Sequence, residues 1–168
     1  MLSIFILIKK LLKFLNSNES VENISFSLTL ALVFSLIPLN FIVHALLLII
    51  LISFNGNLFI FLFMSPILMV IMPSIYIELH KIGDFVLTQS SLTATYEAMS
   101  DIPLLIYTNW NNTVSMGGYM SAIIFSIPIY YFYKISIQKY RETILPKLKN
   151  SKIFQILKLP NWLTLFRK

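Results

Sequence analysis

The dominant feature of the hydrophobic pattern runs from Asn23 to Ile77, fifty-five residues without a Lys, Arg, Asp or Glu. Helices and strands of water-soluble domains keep one polar face, so they do not sustain such a run. A bilayer requires one, because its hydrocarbon core takes about 20 helical residues, roughly 30 Å, to cross. A second uncharged run covers Ile102 to Tyr133. The pattern predicts an all-α fold, a polytopic helical membrane protein.

Inside the first run, the apolar block Ile24 to Phe54 is too long for one upright span and too short for two. Pro38 divides it, since proline removes a backbone donor and disfavours helix at the residue before it. The halves 24–37 and 41–54 are each about 21 Å long as helices, short of the hydrocarbon thickness. A re-entrant or broken-helix hairpin fits these lengths, with its tip covered by protein or water. One long, tilted, kinked helix is the alternative. Asn55-Gly56-Asn57 reads as a turn, because Asn and Gly accept positive φ. Leu58 to Ile77 is the clearest span, and Pro66 and Pro73 lie near one of its faces.

Charge returns at Glu78, Lys81 and Asp84, spaced at three for local pairing. Residues 78–113 then form a far-side segment. Within it, 85–101 is expected to be amphipathic, with Phe85, Leu92, Tyr96 and Met99 on one face. Trp110, in the polar loop Thr108 to Thr113, suits a headgroup-level anchor. The last span is 114–133, with Pro128 near its end.

Small residues recur at helical spacing in two places. Ser27, Ala31 and Ser35 form one stripe. Gly117 with Ser121, and Gly118 with Ala122, form another. Such faces let helices approach closely, and the two stripes are expected to meet. Asn40 and His44 stand four apart beside the break at Pro38. Their first reading is to cap and bridge the broken backbone, and their second is a proton relay or substrate contact.

Charge orients these spans. The chain has 168 residues, 57% of them hydrophobic, a mean hydropathy of +0.80 and a net charge of +6. Twelve of its thirteen basic residues lie in 1–13 and 134–168, and Lys81 stands alone between them. Basic ends around a neutral-to-acidic middle place both termini on the cytoplasmic side of an inner membrane. Residues 1–15 read as an interfacial amphipathic helix, with Lys9, Lys10 and Lys13 near phosphates. After it comes a membrane domain, 16–142, opened by Ser17 or Ser20 as a helix cap. Residues 143–168 are a basic tail on the inner leaflet. Membrane lipids, not nucleic acid, are the expected partners of these ends.

Little catalytic chemistry is visible. Cysteine is absent, which removes disulfides, thiolate metal sites and Cys nucleophiles. No nucleophile–base spacing, metal motif or phosphate loop is present. Glu78 and His80 are two apart and point to different sides of a helix, which argues against a metal site there. Acid–base work by a lipid enzyme would fall to His44, Glu78, His80 and Asp84. The expectation is a protein without enzymatic activity, cofactor or metal.

Two stretches resemble a known family. Ser20 to His44 opens with a polar, acidic helix start, runs through Ile24–Ala31 (ISFSLTLA) and reaches Ile37-Pro38-Leu39-Asn40 and His44. It is similar to the domain-of-unknown-function 2062 group of small bacterial inner-membrane proteins, whose members often carry glycine where Ser27 and Ala31 stand. Asn111-Asn112-Thr113-Val114-Ser115-Met116-Gly117 resembles the signature of one subgroup, in which an Asn-Asn-Thr run opens the last span. The resemblance covers about residues 16–142 and brings no catalytic motif. In the subgroup it implies pairing with a large envelope protein that looks like the AsmA-like, lipid-carrying bridge proteins. A non-enzymatic inner-membrane partner or anchor of such a protein is therefore expected, possessing a lateral lipid path with Asn40, His44, Asn111 and Asn112 as polar contacts. A small oligomeric transporter or channel is the alternative, and a lipid-modifying enzyme ranks third.

Overall fold

A computed structural model describes residues 19–144 and Pro146. The interfacial helix expected over 1–15, the Ser17 cap and the tail beyond Pro146 lie outside the described residues. Every regular element among the described residues is helical. In chain order these are α1 (Val21–Leu36), α2 (Phe41–Ser53), α3 (Leu58–Ile71), a 3-10 turn (Met72–Ile75) and α4 (Tyr76–Leu87). A second 3-10 turn (Ser90–Leu92), α5 (Thr93–Ser100), α6 (Pro103–Ile106), α7 (Thr113–Lys139) and a π-helical turn (Tyr140–Ile144) complete the order.

The helices start where polar side chains can take up their free N–H groups. The Ser20 hydroxyl accepts from Asn23 N at 3.1 Å, and the Asn57 side chain accepts from Ile60 N at 2.9 Å. Asn40 Oδ1 caps α2 through Val43 N, and Asn112 Oδ1 caps α7 through Ser115 N, both at 3.1 Å. The turn between α2 and α3 uses Asn55, at φ 54°, as its left-handed residue.

The block 24–54 doubles back. Phe26 meets Phe54, with ring centroids 5.8 Å apart, and Phe34 meets His44 at 4.1 Å. Those pairs make α1 and α2 an antiparallel hairpin, and a single kinked helix is ruled out. The break falls at Ile37–Asn40, around Pro38.

The helix that starts at Leu58 does not end at Ile77. It passes through the 3-10 turn and α4 to Leu87, thirty residues in all, about 45 Å. Pro73 opens the 3-10 turn, and Pro66 sits inside α3. The charges at Glu78, Lys81 and Asp84 do not stop the helix, because all three are exposed. Lys81 pairs with Glu78 at 2.9 Å. The segment 85–101 is not one amphipathic helix. It breaks after Leu87, leaving Phe85 exposed while Tyr96 turns inward and donates to Val86 O at 2.7 Å.

The α4 half of the long helix packs antiparallel on α7, Leu79 against Gly117 and Gly83 against Thr113, while the α3 half diverges from α7, so that at the other end Ile60 and Ile137 share a cluster with Ile24 and Leu28 of α1. Helix α1 lies against both. It starts beside Lys134 and Arg141 and ends beside Gly118 and Ala122. Both ends of the described chain therefore meet at one end of the bundle, where Arg141 donates to Glu19 O at 2.8 Å. Helices α5 and α6 sit at the opposite, far end.

Two helices, Leu58–Leu87 and Thr113–Thr143, are long and apolar enough to cross a membrane. Their most apolar stretches are only 17% and 11% buried by the rest of the protein. The core helix of a water-soluble domain would be mostly covered. Helices α1 and α2 are apolar but shorter, about 24 and 20 Å.

Candidate functional site

The break between α1 and α2 forms the most densely wired polar site among the described residues. Pro38 supplies no N–H there, and α1 ends with free carbonyls. His44, one turn into α2, answers this. Its Nε2 lies 3.0 Å from Phe34 O. Its Nδ1 lies against the Asn40 backbone, 3.2 Å from the N–H and 2.7 Å from the carbonyl oxygen. Asn40 uses both ends of its amide. The oxygen caps α2, and Nδ2 donates to Tyr107 O at 2.6 Å. Both side chains are buried. They cap and bridge the backbone, and the bond to Tyr107 ties the hairpin tip to the loop after α6.

That loop is fixed in turn. Tyr119 donates to Thr108 O at 2.5 Å, and Trp110 stacks on Tyr96 at 5.5 Å. Trp110 is buried, which corrects its expected role as a headgroup-level anchor. Asn112 caps α7 and Asn111 is exposed, so neither joins Asn40 and His44 in one polar cluster.

An open cleft of about 380 Å³ runs beside the tip, lined by Phe34, Leu39, Asn40, Phe41, His44 and their neighbours on α2. Leu39 and Phe41 project outward at 81% and 89% exposure. The polar atoms of Asn40 and His44 are engaged with backbone, so the cleft presents chiefly apolar surface.

The small-residue stripes do not meet as expected. Ser27, Ala31 and Ser35 face α3 and its entry turn. Asn57 N–H donates to the Ser27 hydroxyl at 2.7 Å, Ala31 packs with Leu51 and Phe61, and Ser35 reaches Ser65 O at 3.2 Å. Gly118 and Ala122 do meet α1, but on a different side. A Cβ on Gly118 would come within 2.9 Å of Leu36 O, and Ala122 packs with Val33 and Ile37. Gly117 faces α4, where a Cβ would overlap the carbonyl of Leu79. Ser121 is buried one turn further along.

Gly83, which the sequence pattern did not single out, completes that contact. A Cβ there would overlap the carbonyl of Thr113. Leu79 and Gly83 on α4 thus oppose Thr113 and Gly117 on α7, each pair four residues apart. Such small-residue crossings bring helix backbones together. The available signal was the spacing of Leu79 and Gly83, masked by the surrounding charges. Beside the crossing, His80 Nδ1 lies 2.6 Å from the Thr113 hydroxyl.

At the near end, Glu22 pairs with Lys134 at 3.0 Å. The hydrogen bond and charge of Lys134 hold the Glu22 carboxyl below its usual range.

The class these features define is a small all-helical bundle with two helices of membrane-crossing length and a short capped hairpin packed against them. The chain belongs to the family described as "Uncharacterized protein conserved in bacteria (DUF2062)", whose model matches residues 6–144. An "Uncharacterized protein" of Treponema pallidum (strain Nichols) is 24% identical over 144 residues, 86% of this chain and 89% of that protein. No solved structure matches.

Proposed function

We propose that the protein is a multi-pass component of the bacterial inner membrane, with both ends cytoplasmic, that serves a larger envelope protein without catalysing a reaction itself. The observation that carries this reading is the short hairpin. Helix α1 is 16 residues long and packs beside helices of 30 and 31 residues. Its tip ends at the level of Gly118, with Leu39 and Phe41 exposed beside an open apolar cleft. In a bilayer such a hairpin is re-entrant. It leaves thinned hydrocarbon at one side of the bundle and a lateral route for a lipid chain.

Orientation follows from the basic ends. The partner class follows from the subgroup resemblance at Asn111 to Gly117, a large AsmA-like protein that carries lipid across the envelope. The test is purification from the native host in mild detergent, with mass spectrometry of what accompanies the chain. A stoichiometric periplasmic protein is the expected result. A clean homo-oligomer overturns the reading.

A small oligomeric transporter is the second reading. It draws on the same hairpin, because discontinuous helices mark transporter sites. Solute flux into liposomes carrying the purified protein would support it.

A further inference from the structure

Two ion pairs bracket the apolar part of the bundle. At the near end Lys134 holds Glu22 at 3.0 Å, and at the far end Lys81 holds Glu78 at 2.9 Å. No Lys, Arg, Asp or Glu stands between Glu22 and Glu78, or between Asp101 and Lys134. Glu78 precedes Leu79, whose carbonyl lies against Gly117, and the neighbouring Gly118 lies against Leu36 at the end of α1. The stretch of α7 from Gly118 to Lys134 therefore sets the greatest height of the uncharged belt, about 24 Å.

A hydrocarbon core of about 30 Å is taller than that. Tilt does not close the gap, because a tilted helix covers less height. The charged side chains do not close it either. Cα–Cβ bonds lean toward a helix's N-terminus, which carries Glu78 and Lys81 on α4, and Lys134 on α7, inward from the two surfaces. The side chains of Glu78 and Lys81 are 67% and 64% exposed, so the protein does not shield them from lipid.

The hairpin repeats the measure on another wall. Helix α2, about 20 Å long, runs between polar residues, Asn40 at the tip and Asn55 in the turn to α3. That turn is drawn in from the near surface. Phe54 meets Phe26, and the Asn57 N–H meets Ser27, a helical turn or more inside Glu22. Leu46, Ile49 and Ile52 are exposed along α2, and Asn55 is exposed beyond them.

We propose that the membrane domain is matched to a hydrocarbon layer of about 20–24 Å, draws the bilayer around it down to that thickness, and takes phospholipids with short acyl chains as its surrounding lipids. This rests on the membrane-crossing part of the reading above and deepens it. The thinned layer extends around the bundle instead of lying at the hairpin alone, and it needs no protein partner.

The full chain can be reconstituted in vesicles of dimyristoleoyl, dioleoyl or dierucoyl phosphatidylcholine, a series of increasing thickness. The thermal midpoint, read by tryptophan fluorescence, should be highest in the shortest lipid and about 5 °C lower in the longest. A midpoint highest in either longer lipid, or equal in all three, overturns the proposal. The Glu78→Leu, Lys81→Leu double variant removes the far bracket and leaves the glycine crossing in place, so its optimum should move to dioleoyl. An ion pair that served only local stability would lower all three midpoints alike, and that result also overturns the proposal.

The chain has no cysteine, so single cysteines report depth in native membranes through an impermeant maleimide. Glu142→Cys should react from the cytoplasmic side and Lys81→Cys from the opposite side. Asn55→Cys should react from the cytoplasmic side as fast as Glu142→Cys, with Ile49→Cys protected. Ser53→Cys, in the last turn of α2, is the second probe where the positive φ of Asn55 disturbs folding. Protection of both Asn55→Cys and Ser53→Cys puts the turn in hydrocarbon, and the thinning fails while the crossing stands. Reaction of Glu142→Cys and Lys81→Cys from one side sinks the crossing itself.

Discussion

Between α4 and α7, backbone meets backbone at Gly83 and Gly117. Between α1 and α2 the meeting is one of rings and polar side chains, Phe26 with Phe54 and His44 with Phe34. The long pair is held by the absence of side-chain atoms. The short hairpin is held by their presence at particular points. The first kind of contact tolerates no added volume. The second tolerates volume at the exposed positions Leu39 and Phe41 but not the loss of a donor or acceptor at the tip. A rigid long pair and a locally wired hairpin therefore fail in different ways.

The largest effect is expected at the glycine crossing. Gly117→Leu or Gly83→Leu should cost about 3 kcal/mol or more, because the backbones must separate. The loss should appear as an earlier thermal transition in detergent, followed by size-exclusion chromatography. Gly118→Ala, whose Cβ would come 2.9 Å from the backbone oxygen of Leu36 so that α1 itself must shift, should cost less, about 2 kcal/mol. Equal behaviour of all three would break the comparison.

Next comes the tip. Asn40→Ala removes the cap of α2 and the bond to Tyr107 together and should cost about 2 kcal/mol. Asn40→Ser keeps a capping oxygen and loses the bond to Tyr107 without placing a second acceptor or a charge there, so it should fall between wild type and alanine. Hydrogen exchange in the first turn of α2 reads the difference. The glycine crossing should keep its protection in both variants. Loss of protection there would show that the two regions melt together.

Ser27→Ala deprives the Asn57 N–H of its side-chain partner and should cost about 1 kcal/mol. Its exchange signature should sit at the α2–α3 turn, away from the tip.

The smallest effect belongs to Glu22 and Lys134, an ion pair with an exposed carboxylate. Lys134 lowers the folded-state pKa of Glu22. The pair thus adds stability above the unfolded carboxyl value, about 4.3, and loses it as pH falls through the lowered value. An acid titration of the unfolding midpoint should lose that component in Glu22→Gln. A Glu22→Gln profile identical to wild type would remove the pair from the stability of the near end.

Much of this architecture was legible along the chain. The uncharged runs located the apolar helices. Pro38 located the break, and Asn40 and His44 beside it read first as cap and bridge, which is how the structure uses them. What was not legible depended on tertiary partners. The residues Glu78 to Asp84 read as the end of a span because charge usually marks a membrane boundary. In the fold they lie on an exposed side of a helix whose other side, Leu79 and Gly83, packs on α7. The small-residue stripes were visible, but spacing says only that a face is small, and not which helix fills it. Trp110 likewise showed an amphipathic ring without showing Tyr96 beneath it.

The serines and threonine of α1 bear on the order in which the molecule is made. Ser25, Ser27, Thr29 and Ser35 each donate to the carbonyl four residues earlier in their own helix. During synthesis α1 leaves the ribosome long before α7, the helix against which its Val33 side finally packs. An isolated α1 already satisfies these hydroxyls internally, so it can wait in apolar surroundings without an exposed donor. The last of the described helices to be translated then closes the bundle on the first of them, whose polar groups were already in order.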